Sequence, residues 1–157
     1  MRDLLKKTPV FLSLIMIANI HVLPGESNPA QCRVPQKAAE VIKLTNGVRG
    51  QKNLKPLQVN CQLYEAAQKH TLDMLKAKKI SHKGSDNSTL ATRIQRVDYQ
   101  YSVVGENVAS GQRSASEVVK DWMNSAGHRK NILNPEFTEI GVGYANNYWT
   151  QVFGKPR

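Results

Sequence analysis

Apolar positions at helical spacing indicate two long helices in the first half of the chain. After Pro35, apolar side chains recur at helical intervals until the polar, glycine-bearing stretch 50–56 interrupts the pattern. A second apolar stripe follows Asn60, whose side chain suits the N-cap position of a helix, and continues to Leu75. Since His70 lies on this stripe, we expect it to be a packed core residue rather than a ligand.

Two shorter helices are predicted in the second half of the chain. The first covers residues 89–97, where apolar residues again recur at helical spacing. The second begins after Ser114 and ends near Gly127, a residue type that often terminates helices. Glu117 follows Ser114 by three residues and completes a capping box.

Extended segments are predicted around and after these helices. Residues 103–109 are a candidate strand, and the β-rich runs 138–145 and 148–154 follow later. The last two are joined by Asn146-Asn147, a pair typical of a two-residue hairpin turn. Four helices combined with a β-meander predict a single domain of the α+β class.

The first 25 residues have the organisation of a secretory signal peptide. Three basic residues precede an apolar run over residues 10–23, and Pro24-Gly25 follows. An uncleaved membrane anchor is the alternative, but this run is short for a hydrocarbon core of about 30 Å. The sequence therefore predicts a secreted, extracellular protein, with an extended arm over residues 26–35.

Cys32 and Cys61 are the two cysteines of the chain, and they flank the first predicted helix. In an exported protein we expect them to form a disulfide bond that ties the N-terminal arm to the start of the second helix. Two reduced thiols are the alternative.

The chain carries a net charge of +10, from 22 basic and 12 acidic residues. A basic secreted domain is attracted to anionic wall polymers, glycans or phospholipid. The basic residues are scattered, with the densest group at Lys76, Lys78 and Lys79, and no aromatic residues alternate with them. We therefore expect no nucleic-acid partner, and a solvated basic face is the simplest interpretation.

Three short polar motifs contain the residues best suited to chemistry. His82 lies in Ser-His-Lys-Gly, Glu106 in Gly-Glu-Asn and His128 in Ala-Gly-His-Arg. Each lies at or beyond the end of a regular element, where side chains from distant segments can meet in one cleft. Two neutral imidazoles and a carboxylate suit a transition metal, Zn²⁺ above all. The same groups without a metal would form a coupled acid–base cluster.

The order and spacing of these motifs resemble the CAP superfamily, which comprises the cysteine-rich secretory, antigen 5 and pathogenesis-related 1 proteins. The resemblance is to the short bacterial-type branch, and it implies a CAP (SCP) domain over residues 36–154. It also implies a three-layer α–β–α sandwich with a central antiparallel sheet. The segments that carry it are Ser81–Gly84, Gly105–Asn107, Ala126–Arg129, Asn131–Leu133, Ile140–Tyr144 and Tyr148–Phe153.

The resemblance places His82, Glu106 and His128 at three of the four positions that line the family's central cavity. In that family the two histidines are the usual metal ligands, and the acids hold waters or orient the rings. The fourth position departs from the pattern of larger eukaryotic members, which carry an acid three residues after the helix tryptophan. Here Ser125 follows Trp122 at that spacing. The missing carboxylate disfavours a Ca²⁺-type site and leaves a His-led site.

Ser125, His128 and Glu106 are also the residue types of a hydrolase triad. Two observations weigh against that interpretation. Ser125 and His128 are three residues apart across a predicted helix end, and the chain has no Gly-x-Ser-x-Gly nucleophile elbow.

The leading hypothesis is a secreted, monomeric binding protein whose His/Glu-lined cavity holds a divalent metal, with no catalytic residue assigned. The resemblance implies extracellular ligands, with a lipid or sterol among them, and the basic charge favours an anionic surface or wall polymer. One alternative is a metal-dependent hydrolase that acts on an extracellular peptide or cell-wall substrate. The other is a basic adhesive module whose cavity residues are structural.

Overall fold

The computed structural model describes residues 32–157. The predicted signal peptide and the arm up to residue 31 lie outside the described residues. In chain order the elements are α1 (Gln36–Gly50), β1 (Gln58–Val59), α2 (Cys61–Ala77), α3 (Leu90–Gln95), β2 (Tyr101–Ser110), α4 (Ala115–Asn124), α5 (Ala126–Ile132), β3 (Glu139–Ala145) and β4 (Tyr148–Pro156).

Side-chain caps at the helix starts match the capping signals in the sequence. The side chain of Asn60 accepts hydrogen bonds from the backbone N–H groups of residues 62 and 63 at the start of α2. Ser114 Oγ accepts from Glu117 N at 3.2 Å, as predicted, but Glu117 Oε2 accepts from Arg113 N at 2.7 Å rather than from Ser114 N, so the capping box is only half formed. Each cap satisfies N–H groups that have no partner inside the helix.

The four strands form one sheet in the order β1-β3-β4-β2. β3, β4 and β2 pair antiparallel, and the Asn146-Asn147 turn between β3 and β4 has positive φ at both residues, as a tight hairpin turn requires. The two-residue strand β1 pairs parallel to β3. The predicted central antiparallel sheet is therefore confirmed in its three long strands, and the short β1 adds one parallel pair at its edge.

Helices cover both faces of this sheet, which confirms the α+β class and the α–β–α layers. One face packs against α2, because Gly141 and Gly143 of β3 let the helix backbone approach closely. A Cβ atom at Gly141 would lie 2.1 Å from the backbone carbon of Leu63. The other face packs against α1 and α4, with Val41, Val118 and other apolar residues in a shared core.

The chain between Trp122 and Leu133 differs from the prediction of one helix that ends near Gly127. α4 ends at Asn124, the backbone is extended at Ser125, and a separate helix α5 begins at Ala126. Gly127 lies inside α5 rather than at a helix end. This break turns the chain, so that His128 is carried by its own short helix.

Cys32 and Cys61 form a disulfide bond with a Cα–Cα distance of 5.4 Å, which confirms the expected pairing. The bond attaches the residues before α1 to the first residue of α2. Within residues 32–157, no helix has both the length and the apolar character needed to cross a membrane.

Candidate functional site

The carboxylate of Glu106 connects the groups of the candidate site. Glu106 lies within β2 rather than at the end of an element, which corrects the prediction for this residue, and its side chain is 3% exposed. Oε1 accepts a hydrogen bond from His82 Nδ1 at 2.8 Å, and Oε2 accepts from Arg93 Nη2 at 2.7 Å. Both oxygens of this buried carboxylate therefore have charged or polar partners, as burial of a carboxylate requires.

His82 lies in the loop between α2 and α3, and its side chain is 61% exposed. Because a carboxylate oxygen accepts hydrogen bonds, Nδ1 of His82 is the donor to Glu106. The lone pair of the neutral ring is then on Nε2. The hydrogen bond to Glu106 raises the pKa of His82 above its ordinary value, and partial burial opposes this shift.

Arg93 donates hydrogen bonds both to the Glu106 side chain and to backbone carbonyl groups of this site. Its Nη1 donates to the carbonyl oxygens of His82 and Ser88 at 3.1 Å each, while Nη2 binds Glu106. The residue lies on α3 and is 7% exposed. A single guanidinium thus fixes the loop that carries His82 and the carboxylate that orients its ring.

Asparagine side chains hold α5 against β2 and thereby bring His128 to the site. Asn107 Nδ2 donates to the carbonyl oxygen of His128 at 3.2 Å. Asn131 Nδ2 donates to Glu106 O at 3.0 Å and to Asn107 Oδ1 at 2.8 Å. Burial lowers the pKa of the half-buried His128 ring, and the charge of nearby His82 lowers it further.

The contacts of the site show which side chains have the chemistry to bind a metal ion. His82 presents Nε2 while its Nδ1–H is held by a carboxylate, the usual arrangement for metal-binding histidines. Glu106 is engaged by His82 and Arg93, so its contacts match ring orientation rather than metal ligation. Within the described residues, no group of three or more His, Cys, Asp or Glu side chains is arranged to hold a metal ion. Of the side chains in the site, the imidazoles of His82 and His128 have the donor chemistry of a metal ligand.

The fourth cavity position, Ser125, lies at the break between α4 and α5 and is partly buried. Among the interactions within residues 32–157, no hydrogen bond joins its hydroxyl to the His128 ring, and Glu106 binds His82 instead. The three residue types of a triad are therefore present, but they are not connected as a serine–histidine–acid relay.

A match to a family model shows which protein family contains this chain. Residues 42–153, which contain every residue of the site described above, match the model of CAP, the cysteine-rich secretory protein family. The chain belongs to the CAP family.

Known proteins similar to this CAP chain come from bacteria. The protein YkwD of Bacillus subtilis (strain 168) is 43% identical over 116 residues, or 73% of this chain and 45% of that protein. The membrane protein YlbC of the same strain is 33% identical over 116 residues, or 74% of this chain and 34% of that protein. The CAP chain thus matches less than half the length of each of these relatives.

Solved structures have the same fold as this CAP chain. An extracellular protein containing an SCP domain from Bacillus anthracis str. Ames has a TM-score of 0.74 and 34% identity, over 76% of this chain and 40% of that one. An outer surface protein from Borrelia burgdorferi has a TM-score of 0.69 and 24% identity, over 74% of this chain and 90% of that one. The second likeness concerns the fold alone.

Three residues that organise this CAP site were given no site role from the sequence, although Asn131 and Gln151 lie in segments that carry the family resemblance. Arg93 and Asn131 contact Glu106 directly, and Gln151 on β4 accepts from Asn107 Nδ2 at 3.0 Å. Gln151 continues the chain of hydrogen bonds to Thr45 on α1 through Nε2, at 2.8 Å. A signal for Gln151 is its amide side chain in a strand that the sequence predicts to be packed, between Trp149 and Phe153.

Proposed function

We propose that this CAP protein acts outside the cell as a binding protein that holds a divalent metal ion, Zn²⁺ first, between His82 and His128. The observation that carries the proposal is the His82–Glu106–Arg93 arrangement, which directs one imidazole nitrogen away from its carboxylate partner. A metal ion held there supplies a Lewis acid that binds and polarises an oxygen-bearing ligand. The extracellular location is supported by the signal-peptide pattern and by the extracellular SCP-domain protein of similar structure.

Calorimetric titration of the chelator-treated protein with Zn²⁺ tests the proposal. We expect a single-site isotherm for the wild type and none for His82→Ala or His128→Ala. Glu106→Gln is expected to weaken Zn²⁺ binding by about 10–100-fold, because the amide holds the His82 ring less well. Lys130→Ala, an exposed change beside the site, is the matched control and should bind as the wild type does.

Two results would contradict the metal proposal. One is no heat of binding for a folded wild type, verified by circular dichroism. The other is equal Zn²⁺ affinity in wild type and in the folded His82→Ala/His128→Ala double variant. In either case the histidines are a hydrogen-bonded structural cluster.

A second candidate function, binding of a single-chain lipid, is supported by an apolar groove between α1 and α4. The groove has a volume of about 450 Å³, and Leu44, Val48, Val119 and Met123 contribute its apolar lining. Lys43 and Lys120 belong to the same groove and are exposed. An apolar groove with ammonium groups beside it fits a hydrocarbon chain with an anionic head group.

Displacement of a fluorescent fatty acid by palmitate measures this second function. Gly47 lies in the groove and has open space around its Cα, so Gly47→Leu is expected to fill the groove and abolish binding. Gly50→Leu is the matched control, since Gly50 also has open space but does not line the groove. Equal binding by both variants would exclude this groove as the lipid site.

A further inference from the structure

Four lysines and one isoleucine cluster at the end of α2, and we name this cluster the α2 tip: Lys76, Lys78, Lys79, Ile80 and Lys83. All five residues are exposed. Residues 74–85 contain no acidic residue. None of the four lysines takes part in an ion pair within residues 32–157. The α2 tip is therefore a positive surface without ion pairs, and the nearest carboxylates in the chain, Asp73 and Asp86, lie just outside this range.

Helix electrostatics account for only part of this surface. Lys76 lies in the last turn of α2, where a positive charge is favourable near the carbonyl end of the helix. Lys83 lies beyond the helix, in the loop that also contains His82, so the helix end does not explain it. Nor does it explain Ile80, which is 46% exposed between the lysines. Exposure of a large apolar side chain to water is unfavourable, and contact with an apolar partner would remove that surface from water.

A cleft of about 280 Å³, lined by both apolar and polar residues, lies next to Ile80 in the chain. Lys79 and Lys83 line it together with three residues that carry hydroxyl or amide side chains, Ser81, Ser85 and Asn87. Asp73 is the carboxylate in this cleft, and both of its oxygens already accept hydrogen bonds from Ser85. The cleft thus combines two ammonium groups and the Asn87 amide with one carboxylate that Ser85 already binds, so a positive charge remains for a phosphate diester.

We propose that the α2 tip docks on the surface of an anionic phospholipid membrane, with a lipid phosphate in the cleft and Ile80 in the acyl boundary. The exposed isoleucine favours a lipid surface over a purely ionic polymer, because only the lipid offers an apolar phase beside its phosphates. Docking in this way would place the loop that carries His82 against the membrane.

Vesicle co-sedimentation of the full chain tests the proposal. The probes are phosphatidylcholine vesicles with and without phosphatidylglycerol, and the neutral vesicles record binding that does not depend on lipid charge. We expect phosphatidylglycerol to increase the bound fraction, and Lys79→Gln/Lys83→Gln to weaken that binding by about tenfold or more. Lys52→Gln/Lys55→Gln removes the same charge from an exposed loop elsewhere. This control pair should leave binding to the phosphatidylglycerol vesicles nearly unchanged.

The apolar contact is tested with a matched pair. Ile80→Ser is expected to weaken binding to the phosphatidylglycerol vesicles, whereas Val59→Ser should not, although Val59 is 48% exposed and thus similar to Ile80. Binding that is insensitive to phosphatidylglycerol overturns the proposal. Equal losses in the two lysine pairs, or equal effects of Ile80→Ser and Val59→Ser, overturn it as well, because net charge or general exposure would then suffice.

Discussion

At the scale of single residues, Glu106 and Arg93 depend on each other. Glu106 is buried, so its charge requires the Arg93 guanidinium, and Arg93 itself is 7% exposed. A neighbouring arginine, Arg96, pairs with Asp86 at 2.5 Å, but both of these side chains are about half exposed. One arginine–carboxylate pair at α3 is thus buried, and the other is exposed to water.

Loss of the buried arginine is expected to cost far more stability than loss of the exposed one. Arg93→Met leaves the Glu106 carboxylate buried without its cation and should lower the free energy of unfolding by about 3–5 kcal/mol. Arg96→Met should change the free energy of unfolding little, because water screens its pair. Urea unfolding measures both, and similar losses in the two variants would refute the assigned role of Arg93.

A double variant separates buried charge from packing. Arg93→Met combined with Glu106→Gln removes the uncompensated charge, so part of the stability lost in Arg93→Met should return. No recovery in the double variant would mean that the Arg93 contacts to the carbonyl oxygens of His82 and Ser88 carry the stabilisation.

His70 provides a prediction on pH. The residue is 1% exposed, its Nε2 donates to Ser81 O at 2.8 Å, and burial lowers its pKa below the ordinary value of 6.5. The unfolded chain therefore takes up a proton before the folded chain does as pH falls. This contribution to stability is complete above the unfolded pKa and is lost as pH falls through the interval down to the folded pKa.

The free energy of unfolding of wild type and His70→Gln, measured from about pH 8 to about pH 5, isolates this contribution. We expect the free energy of unfolding of the wild type, relative to that of His70→Gln, to decrease as the pH falls. His82 and His128 titrate in both proteins, so their effects cancel in the comparison. A difference that stays constant with pH would contradict a neutral His70 in the folded state.

At the scale of elements, contact between α2 and β3 positions the site. Gly141 and Gly143 face the backbone of α2 near Leu63 and Ala67, and this close packing sets the height of the helix above the sheet. The loop that carries His82 begins where α2 ends. Distances within the site therefore depend on a helix–strand contact that itself contains no site residue.

Gly141→Ala is expected to lower the free energy of unfolding by about 1–3 kcal/mol, because the added Cβ overlaps backbone atoms that cannot rotate away. Gly47→Ala, inside α1 and with open space around it, is the control and should stabilise the protein by roughly 0.5–1 kcal/mol. Thermal unfolding of both variants checks the two signs. A stabilising Gly141→Ala would show that α2 is free to move away from the sheet.

At the scale of the whole molecule, two sets of interactions connect the layers. A hydrogen-bonded series of side chains runs from Thr45 on α1 through Gln151 and Asn107 to Asn131 on α5. The disulfide bond attaches the chain before α1 to the start of α2. The hydrogen-bonded series joins the sheet to α1 and α5 on one face, and the disulfide bond restricts the unfolded chain.

Replacement of both cysteines by serine tests how much the disulfide bond stabilises the protein. The bond closes a loop with a sequence separation of 29 residues, for which the chain-entropy model gives a loss of roughly 3–4 kcal/mol. We expect the double variant and the reduced wild type to unfold at the same, lower temperature. A reductant should then have no effect on the double variant, and an unfolding temperature equal to that of the oxidised wild type would exclude a stabilising role.

The part of this structure that the sequence alone determined depends on local interactions. The Asn60 cap, the Ser114 cap and the Asn146-Asn147 turn each act over a few residues, so their signals stand in the printed sequence. The family resemblance supplied the layered fold, which the architecture and the family match confirm. His82, Glu106 and His128 were selected as a group because their residue types stand in short polar motifs.

Tertiary structure alone decided how these residues are connected. β1 becomes a strand only because it pairs with β3, far along the chain. α4 ends at Asn124 and a separate α5 follows, where the sequence predicted one helix that ends near Gly127. Arg93 has the sequence context of an exposed helix residue, yet burial against β2 makes it the partner of Glu106. Ion pairing inside a protein depends on which side chains are removed from water together, and that is a property of the packed layers rather than of any local sequence.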